Sequence, residues 1–460
     1  MTAQIRVTTP QLIEALKETR ARTLELVDDL DETRLIGPRL QIVNPLRWEI
    51  GHVAWFQEFW VLRHLGNQPP ILKHGDELYD SARVAHDTRW DLPLCEKDET
   101  LVYMRQVLER AIEQASCRSR GLTDAQGYDR DYFLNLVLLH EQMHDEAITY
   151  TRQTLSYPAP AIGIALKQVD DVGLANEVRL PETNPPITQT DLSDDAEIPG
   201  GNFTLGSIGE QGFVFDNEQL AHEVEIAPFA ISKTAVTNSE FTHFVEESAY
   251  SRSEFWTVEG WRWRTSVRAE LPVYWRREGN GRWLRRNFDE WLALDDNLPV
   301  IHVNWYEADA YCRWAGRRLP TEAEWEMAAS AESATDGRMI KDKRRYPWGD
   351  NAPTTELANL DWRAMGCIPV DALPGGDSAF GCRQMIGNVW EWTASDFRPY
   401  PGFAAGPYKE YSEPWFGNHK VLRGGCWVTR SRLIHNTYRN FYPPDRRDVW
   451  AGFRTCALWT

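Results

Sequence analysis

The stretch Asp129-Arg-Asp-Tyr-Phe-Leu-Asn-Leu-Val-Leu-Leu-His140-Glu-Gln-Met-His144-Asp-Glu-Ala-Ile-Thr-Tyr-Thr-Arg-Gln-Thr-Leu155 decides how the first third of the chain folds. It contains no glycine or proline, and Tyr157-Pro158 supplies the stop, so one long helix is predicted from about Asp129 to Leu155. Leu134 to Leu139 reads as core, too short to span a bilayer. At about 100° per residue, His140 and His144 leave the helix on one face, one turn apart. Glu141 and Asp145 are turned about 100° from that face, and Glu146 about 200° from His144. The two imidazoles therefore share a direction that the neighbouring carboxylates do not.

Upstream, Thr9-Pro10 opens a first helix whose apolar side includes Leu12, Ile13, Leu16, Leu24, Leu26 and Val27. Asn44-Pro45 predicts a second start, with Asn44 as N-cap, and this helix carries Trp48, His52, Trp55, Phe56 and Phe59 to about His64 before Gly66-Asn67. A third covers about Glu99 to Ser116. Four amphipathic helices predict a bundle over residues 1–157, and its long 67–98 connection has the length of a functional loop. Residues 158–195, with Pro158, Pro160, Pro181, Pro185 and Pro186 among polar residues, read as a linker. From 196 to 460 short strands, frequent Gly and Pro turns and a capped helix at Thr321 (Thr321 and Glu324 in capping-box spacing) predict a second, α+β domain.

Composition narrows the function. Lys and Arg number 50 against 68 Asp and Glu, and the net charge of −18 disfavours nucleic acid or an anionic membrane as partner. No apolar run reaches membrane-spanning length, and the N-terminus has no apolar signal region. Seven cysteines form no CxxC pair, which predicts reduced thiols and a cytoplasmic location. Twenty-one tryptophans predict heavy use of indoles in packing, with an aromatic cage for a cationic ligand as a second use. The oligomeric state is left open.

His52, mid-helix among aromatic residues, joins His140 and His144 as a third candidate ligand, because facing bundle helices converge such side chains on one ion. Three neutral imidazoles suit Zn, Fe, Ni or Cu, and spacing does not choose between them. Histidines 64, 74, 86, 222, 243, 302, 419 and 435 are scattered and read as structural.

The second domain carries Pro199-Gly-Gly-Asn-Phe-Thr-Leu-Gly-Ser207, Ile231-Ser-Lys-Thr-Ala-Val-Thr-Asn-Ser-Glu-Phe241, Pro299-Val-Ile-His-Val-Asn-Trp305, Arg318-Leu-Pro-Thr-Glu-Ala-Glu-Trp325, Gly387-Asn-Val-Trp-Glu-Trp392, Arg423-Gly-Gly-Cys-Trp427 and Ala451-Gly-Phe-Arg454. In this order they resemble the formylglycine-generating-enzyme and sulfatase-modifying-factor family, which implies a C-type-lectin-like fold. True formylglycine enzymes have two cysteines just after Arg-Gly-Gly. Here Cys426 stands alone before His435, so that chemistry is not implied. The first domain resembles the DinB-like four-helix bundle, and the combination resembles the ergothioneine sulfoxide synthase family over nearly the whole chain.

That resemblance implies an enzyme, a mononuclear nonheme iron oxidoreductase, with Fe(II) as cofactor on His52, His140 and His144. It also implies hercynine and O2 as substrates, with bond formation between the imidazole C2 of hercynine and a sulfur donor. After Pro399-Tyr-Pro-Gly-Phe403 the catalytic tyrosine maps onto Tyr408 and a substrate-side tyrosine onto Tyr411. The Arg-Asn-aromatic segment maps onto Arg439-Asn440-Phe441, with Asn440 approaching the trimethylammonium group, and Arg446 is a retained arginine. Departures fall on the donor side. Tyr79 to Trp90 offers only Arg83 and Arg89, Tyr442 stands where an acidic residue is found, and Met143 replaces a glutamine. They point away from γ-glutamylcysteine and toward a less anionic donor, as in the branch that joins a selenosugar to hercynine in making selenoneine. The alternatives are a small thiol donor (cysteine or γ-glutamylcysteine), or a zinc-binding, non-oxidative bundle beside a ligand-binding lectin-like domain. For Tyr408 the competing reading is a surface loop tyrosine, and for Arg446 an ion pair with Asp445 or Asp448.

Overall fold

The computed structural model describes residues 8–116, 123–163, 192, 194–208, 212–332 and 342–458. The chain divides into two compact units, the first running to Gly163 and the second holding nearly everything after it. Most of the linker expected over 158–195 lies outside the described residues.

The first unit contains α1 (Thr9–Glu25), α2 (Glu32–Ile36), α3 (Leu46–Gln57), α4 (Gly75–Tyr79), α5 (Lys97–Ser116) and α6 (Arg130–Thr154). The four long helices match those expected, and α1 and α3 each pack against both α5 and α6, which makes a four-helix bundle. Two details differ from expectation. Asn44 does not cap α3: Pro45 occupies that position, and the Asn44 amide is drawn away by Glu49 and Arg89. The second helix continues past Gln57 as a π-helix over Glu58–Leu65. Its buried Glu58 accepts from Tyr103 Oη at 2.6 Å and from the Ile71 backbone N–H at 3.0 Å. The 67–98 connection is partly helical, with α4 and a 3-10 turn at His86–Thr88.

The sides of α6 are chemically distinct. Leu134, Leu138 and Ile148 pack in the apolar core, while Glu141 meets a buried cation. Arg20 of α1 donates from Nε and Nη2 to Glu141 at 2.6 and 3.0 Å, and from Nη1 to the Met104 carbonyl at 2.5 Å. Thr23 Oγ1 lies 2.8 Å from both Glu141 and Asp145. The two carboxylates expected off the histidine face are therefore held by α1. A buried bidentate pair with its remaining hydrogen-bonding groups engaged fixes the rotation of α6 about its own axis.

In the second unit a four-stranded sheet runs Asp195–Ile198, Phe229–Ser232, Cys456–Ala457, Arg317–Arg318. Another runs Asn440–Tyr442, Lys420–Arg423, Trp390–Asp396, Ala451–Gly452, with its last pair parallel. Much of the unit is irregular loop around a core that includes Trp325, Trp362, Trp390, Trp392, Trp427 and Trp450, and buried arginine–carboxylate forks tie its segments together. Arg423 and Arg439 both reach Glu322, at 2.9 and 2.6 Å. Arg454 grips Glu391 through two bonds of 2.6 and 2.7 Å, and Trp325 Nε1 donates to the same carboxylate. Gly424 is required as glycine: its φ is +94°, and a Cβ would sit 2.5 Å from the Met385 carbonyl oxygen. The motifs Arg423-Gly-Gly, Gly387 to Trp392 and Ala451 to Arg454 are thus largely architectural.

Replacing Arg20 with Met leaves Glu141 buried without its counter-charge, at an expected cost of about 3–5 kcal/mol. Denaturant unfolding followed by helical circular dichroism measures this. A loss below about 1 kcal/mol would remove the fork from the account of α6.

Candidate metal centre

The three histidines come together on α3 and α6. His52 and His140 are 2% and 3% exposed, His144 is half-buried, and one ring nitrogen from each lies within 4.8 Å of the other two. Ring centroids are 5.1 Å apart for His52–His140, 4.8 Å for His52–His144 and 4.5 Å for His140–His144. Ligands at bond lengths of about 2 Å sit roughly 3 Å from one another, so small side-chain rotations bring this set onto one ion.

The protonation states suit a cation. Burial and the neighbouring His144 push His52 down to about 3 and His140 well below the ordinary histidine range. Both are neutral at pH 7, so no proton has to leave before a metal enters. Two rings have their outward nitrogen engaged. His52 Nδ1 lies 2.7 Å from the Tyr79 carbonyl oxygen, and His144 Nδ1 contacts the Glu49 carboxylate. Each Nδ1 then carries the proton, and Nε2 of the same ring is left to coordinate. Burial pushes Glu49 up, but His144 and the Asn44 amide outweigh it and hold the carboxyl at about 2. Phe56 stacks on His140 with centroids 3.5 Å apart, and Trp48 on His52 at 4.6 Å. The residues present thus fit a divalent transition metal: three imidazole nitrogen donors, two of them buried and neutral, and no carboxylate in the cluster.

Met143 is half-buried on α6, between His140 and His144. Arg83 is 69% exposed and pairs with Asp80 at 3.0 Å. Arg89 turns inward, buried, with its guanidinium carbon 3.7 Å above the Trp48 ring.

In the second unit Tyr408, Tyr411 and Phe441 form one aromatic patch. Tyr411 lies 6.1 Å from Tyr408 and 5.5 Å from Phe441 between ring centroids, and its Oη is 3.1 Å from that of Tyr438. Burial raises Tyr411 well above its ordinary range, so it stays protonated. Asn440, Phe441 and Tyr442 form one half-buried strand, held beside Lys420–Arg423. Arg446 makes a two-pronged pair with Asp448 at 2.7 Å on each arm and lies 5.2 Å over the Tyr442 ring.

Two family profiles match the chain: the DinB superfamily over residues 15–148 and the sulfatase-modifying factor enzyme 1-like domain over 181–458. The hercynine oxygenase of Mycobacterium tuberculosis is 36% identical over 450 residues, covering 96% of this chain and 98% of its own. That of Mycolicibacterium smegmatis is 34% identical over 453 residues, covering 96% and 97%. This chain belongs to the hercynine oxygenase family. The formylglycine-generating enzyme of Streptomyces coelicolor is 32% identical over 318 residues, covering 60% of this chain and 92% of its own. The chain's membership of the hercynine oxygenase family makes it an enzyme and accounts for both domains.

Sequence reasoning missed Glu49, Gly51 and the Tyr79 carbonyl. Glu49 precedes His52 by three residues, one helical turn on the same face, and that spacing was the available signal. Gly51 has a steric reason: a Cβ there would sit 2.2 Å from the Tyr79 ring. Replacing Gly51 with Ala should push Tyr79 away from α3, loosen the His52 contact and weaken metal binding about 10- to 100-fold. Competition with a chelator measures it, and an unchanged affinity would show that the Tyr79 contact does not orient His52.

Proposed function

We propose that this protein catalyses iron(II)- and O2-dependent formation of a carbon–chalcogen bond at the imidazole C2 of hercynine. The observation that carries the reading is the set of three converging imidazoles, His52 and His140 buried and neutral and His144 half-buried, in a chain similar along its length to hercynine oxygenases. Iron(II) held there would supply open coordination positions and the electron transfer that O2 chemistry requires. The balance closes without an external reductant when a thiol or selenol R–XH, the imidazole C2–H and O2 give R–X(O)–C2 and water.

The remaining roles belong to the chain's own side chains. Tyr408 is the residue that would hold or deliver a proton at its Oη. Tyr411, kept protonated beside Tyr438, would orient substrate as a hydrogen-bond donor. Phe441, stacked on Phe397 at 4.0 Å, and its tyrosine neighbours offer ring faces to a trimethylammonium group, each giving about 0.5–2 kcal/mol. Asn440 and Tyr442 flank Phe441 on the same strand and would contact the rest of hercynine. On the donor side, Met143 offers no charge, Arg83 is already paired and Arg89 is committed inward, while Arg446 is neutralised by Asp448. With few uncommitted cations, the reading favours a donor with few carboxylates, a selenosugar ahead of cysteine or γ-glutamylcysteine. Among the described residues Cys95, Cys312, Cys367, Cys382, Cys426 and Cys456 are thiols rather than disulfides, which supports work in the reducing cytoplasm.

Anaerobic reconstitution with Fe(II), addition of hercynine with each donor in turn, and admission of O2 should give one adduct by mass spectrometry, with O2 consumed. Tyr408→Phe is expected to slow the reaction by a factor of about 10²–10⁴. Equal turnover with Zn(II) in place of iron, or no O2 uptake with any donor, would overturn the proposal.

A further inference from the structure

Arg89 stands where the substrate-side reading expects a cation for the donor, yet its guanidinium is joined through intervening residues to two of the metal ligands. It is 8% exposed and enters from the 67–98 connection, one residue after the 3-10 turn at His86–Thr88. One arm works through hydrogen bonds. Nη1 donates to Asn44 Oδ1 at 2.7 Å, the Asn44 amide donates to Glu49 Oε1 at 2.5 Å, and Glu49 Oε2 contacts His144 Nδ1. The other arm works through stacked planes. The guanidinium carbon sits 3.7 Å from the Trp48 ring centre, and Trp48 lies nearly parallel to His52, 10° between planes, at 4.6 Å. The stack is pinned at its edge by Trp48 Nε1 donating to the Leu78 carbonyl at 2.8 Å.

We propose that Arg89 is a positioning residue for the metal centre, bracing His144 through Asn44 and Glu49 and His52 through Trp48; this rests on the assignment of those histidines as ligands. A guanidinium suits both tasks. Its flat face covers an indole while its in-plane N–H groups donate sideways, which a lysine ammonium cannot do together. The Asn44 amide passes the bond on to Glu49, whose other oxygen selects the Nδ1–H tautomer of His144, and a carboxylate behind a ligand imidazole raises its basicity. Nη2 also donates to the Val84 carbonyl at 3.3 Å, a bond within the 67–98 connection, and the Tyr79 carbonyl of the same connection lies 2.7 Å from His52 Nδ1, so the connection is tied to the ligands through both Arg89 and Tyr79. The consequence is a coupling: order in this segment and affinity for the metal rise and fall together.

The test is Co(II) binding to the full chain, read by the ligand-field absorption spectrum and by competition with a chelator. Arg89→Met and Arg89→Lys should each weaken binding at least about tenfold and change the spectrum. Asn44→Ala, which cuts one arm and leaves the stack, should do so to a smaller degree. Arg83→Met, in the same connection but exposed, should match the parent. In the metal-free protein, ¹⁵N shifts of His144 should report the Nδ1–H tautomer in the parent and a mixture in Asn44→Ala. Parent-like affinity, spectrum and tautomer in the Arg89 and Asn44 variants would overturn the proposal. If the parent itself takes up no Co(II), the metal assignment fails first, and Arg89 has nothing to position.

Discussion

Two helices must approach each other with fixed rotation for this structure to have a metal centre. His52 comes from α3, His140 and His144 from α6, and a turn of either helix about its axis would carry an imidazole out of the common volume. The fork between Arg20 and Glu141 sets that rotation from the far side of α6, and the contact between Glu49 and His144 sets it on the near side. His52 and His140, the two buried rings, are neutral and bring no charge of their own into the core. Of the carboxylates beside them, Glu141 is matched by Arg20, and Glu49 is held by Asn44, which in turn accepts from Arg89.

The second unit solves a different problem with the same means. Its strands are two to seven residues long, and much of the chain between them is irregular. Arg423, Arg439 and Arg454 therefore run into the interior toward Glu322 and Glu391. The Arg439 fork anchors the residue just before the strand that carries Asn440, Phe441 and Tyr442, so the framework reaches the proposed hercynine contacts directly.

The bundle was legible because its signals are local. A 3.6-residue period, a spacing of four between histidines and stop signals at Gly66 and Pro158 each act within a few residues. The forks were legible only as motifs: Arg318 to Trp325, Gly387 to Trp392 and Arg423 to Trp427 read as family marks, and their physical meaning appears once distant segments are paired. What escaped was everything that depends on the 67–98 connection folding back. Asn44 reads as a helix cap because Asn-Pro commonly is one, and the competing pull of Glu49 and Arg89 is tertiary. Arg89 reads as a donor-side arginine until Trp48 is seen beneath it. Gly51 gives no sign that the Tyr79 ring occupies the place of its missing Cβ.

The central claim is that His52, His140 and His144 share one iron. X-ray absorption on the anaerobic Fe(II)-loaded protein measures this directly through the number of imidazole rings that scatter around the metal. The account predicts three rings for the parent protein, falling to two in His140→Ala wherever iron is retained. Fewer than three in the parent, or an unaltered ring count in His140→Ala, would contradict it.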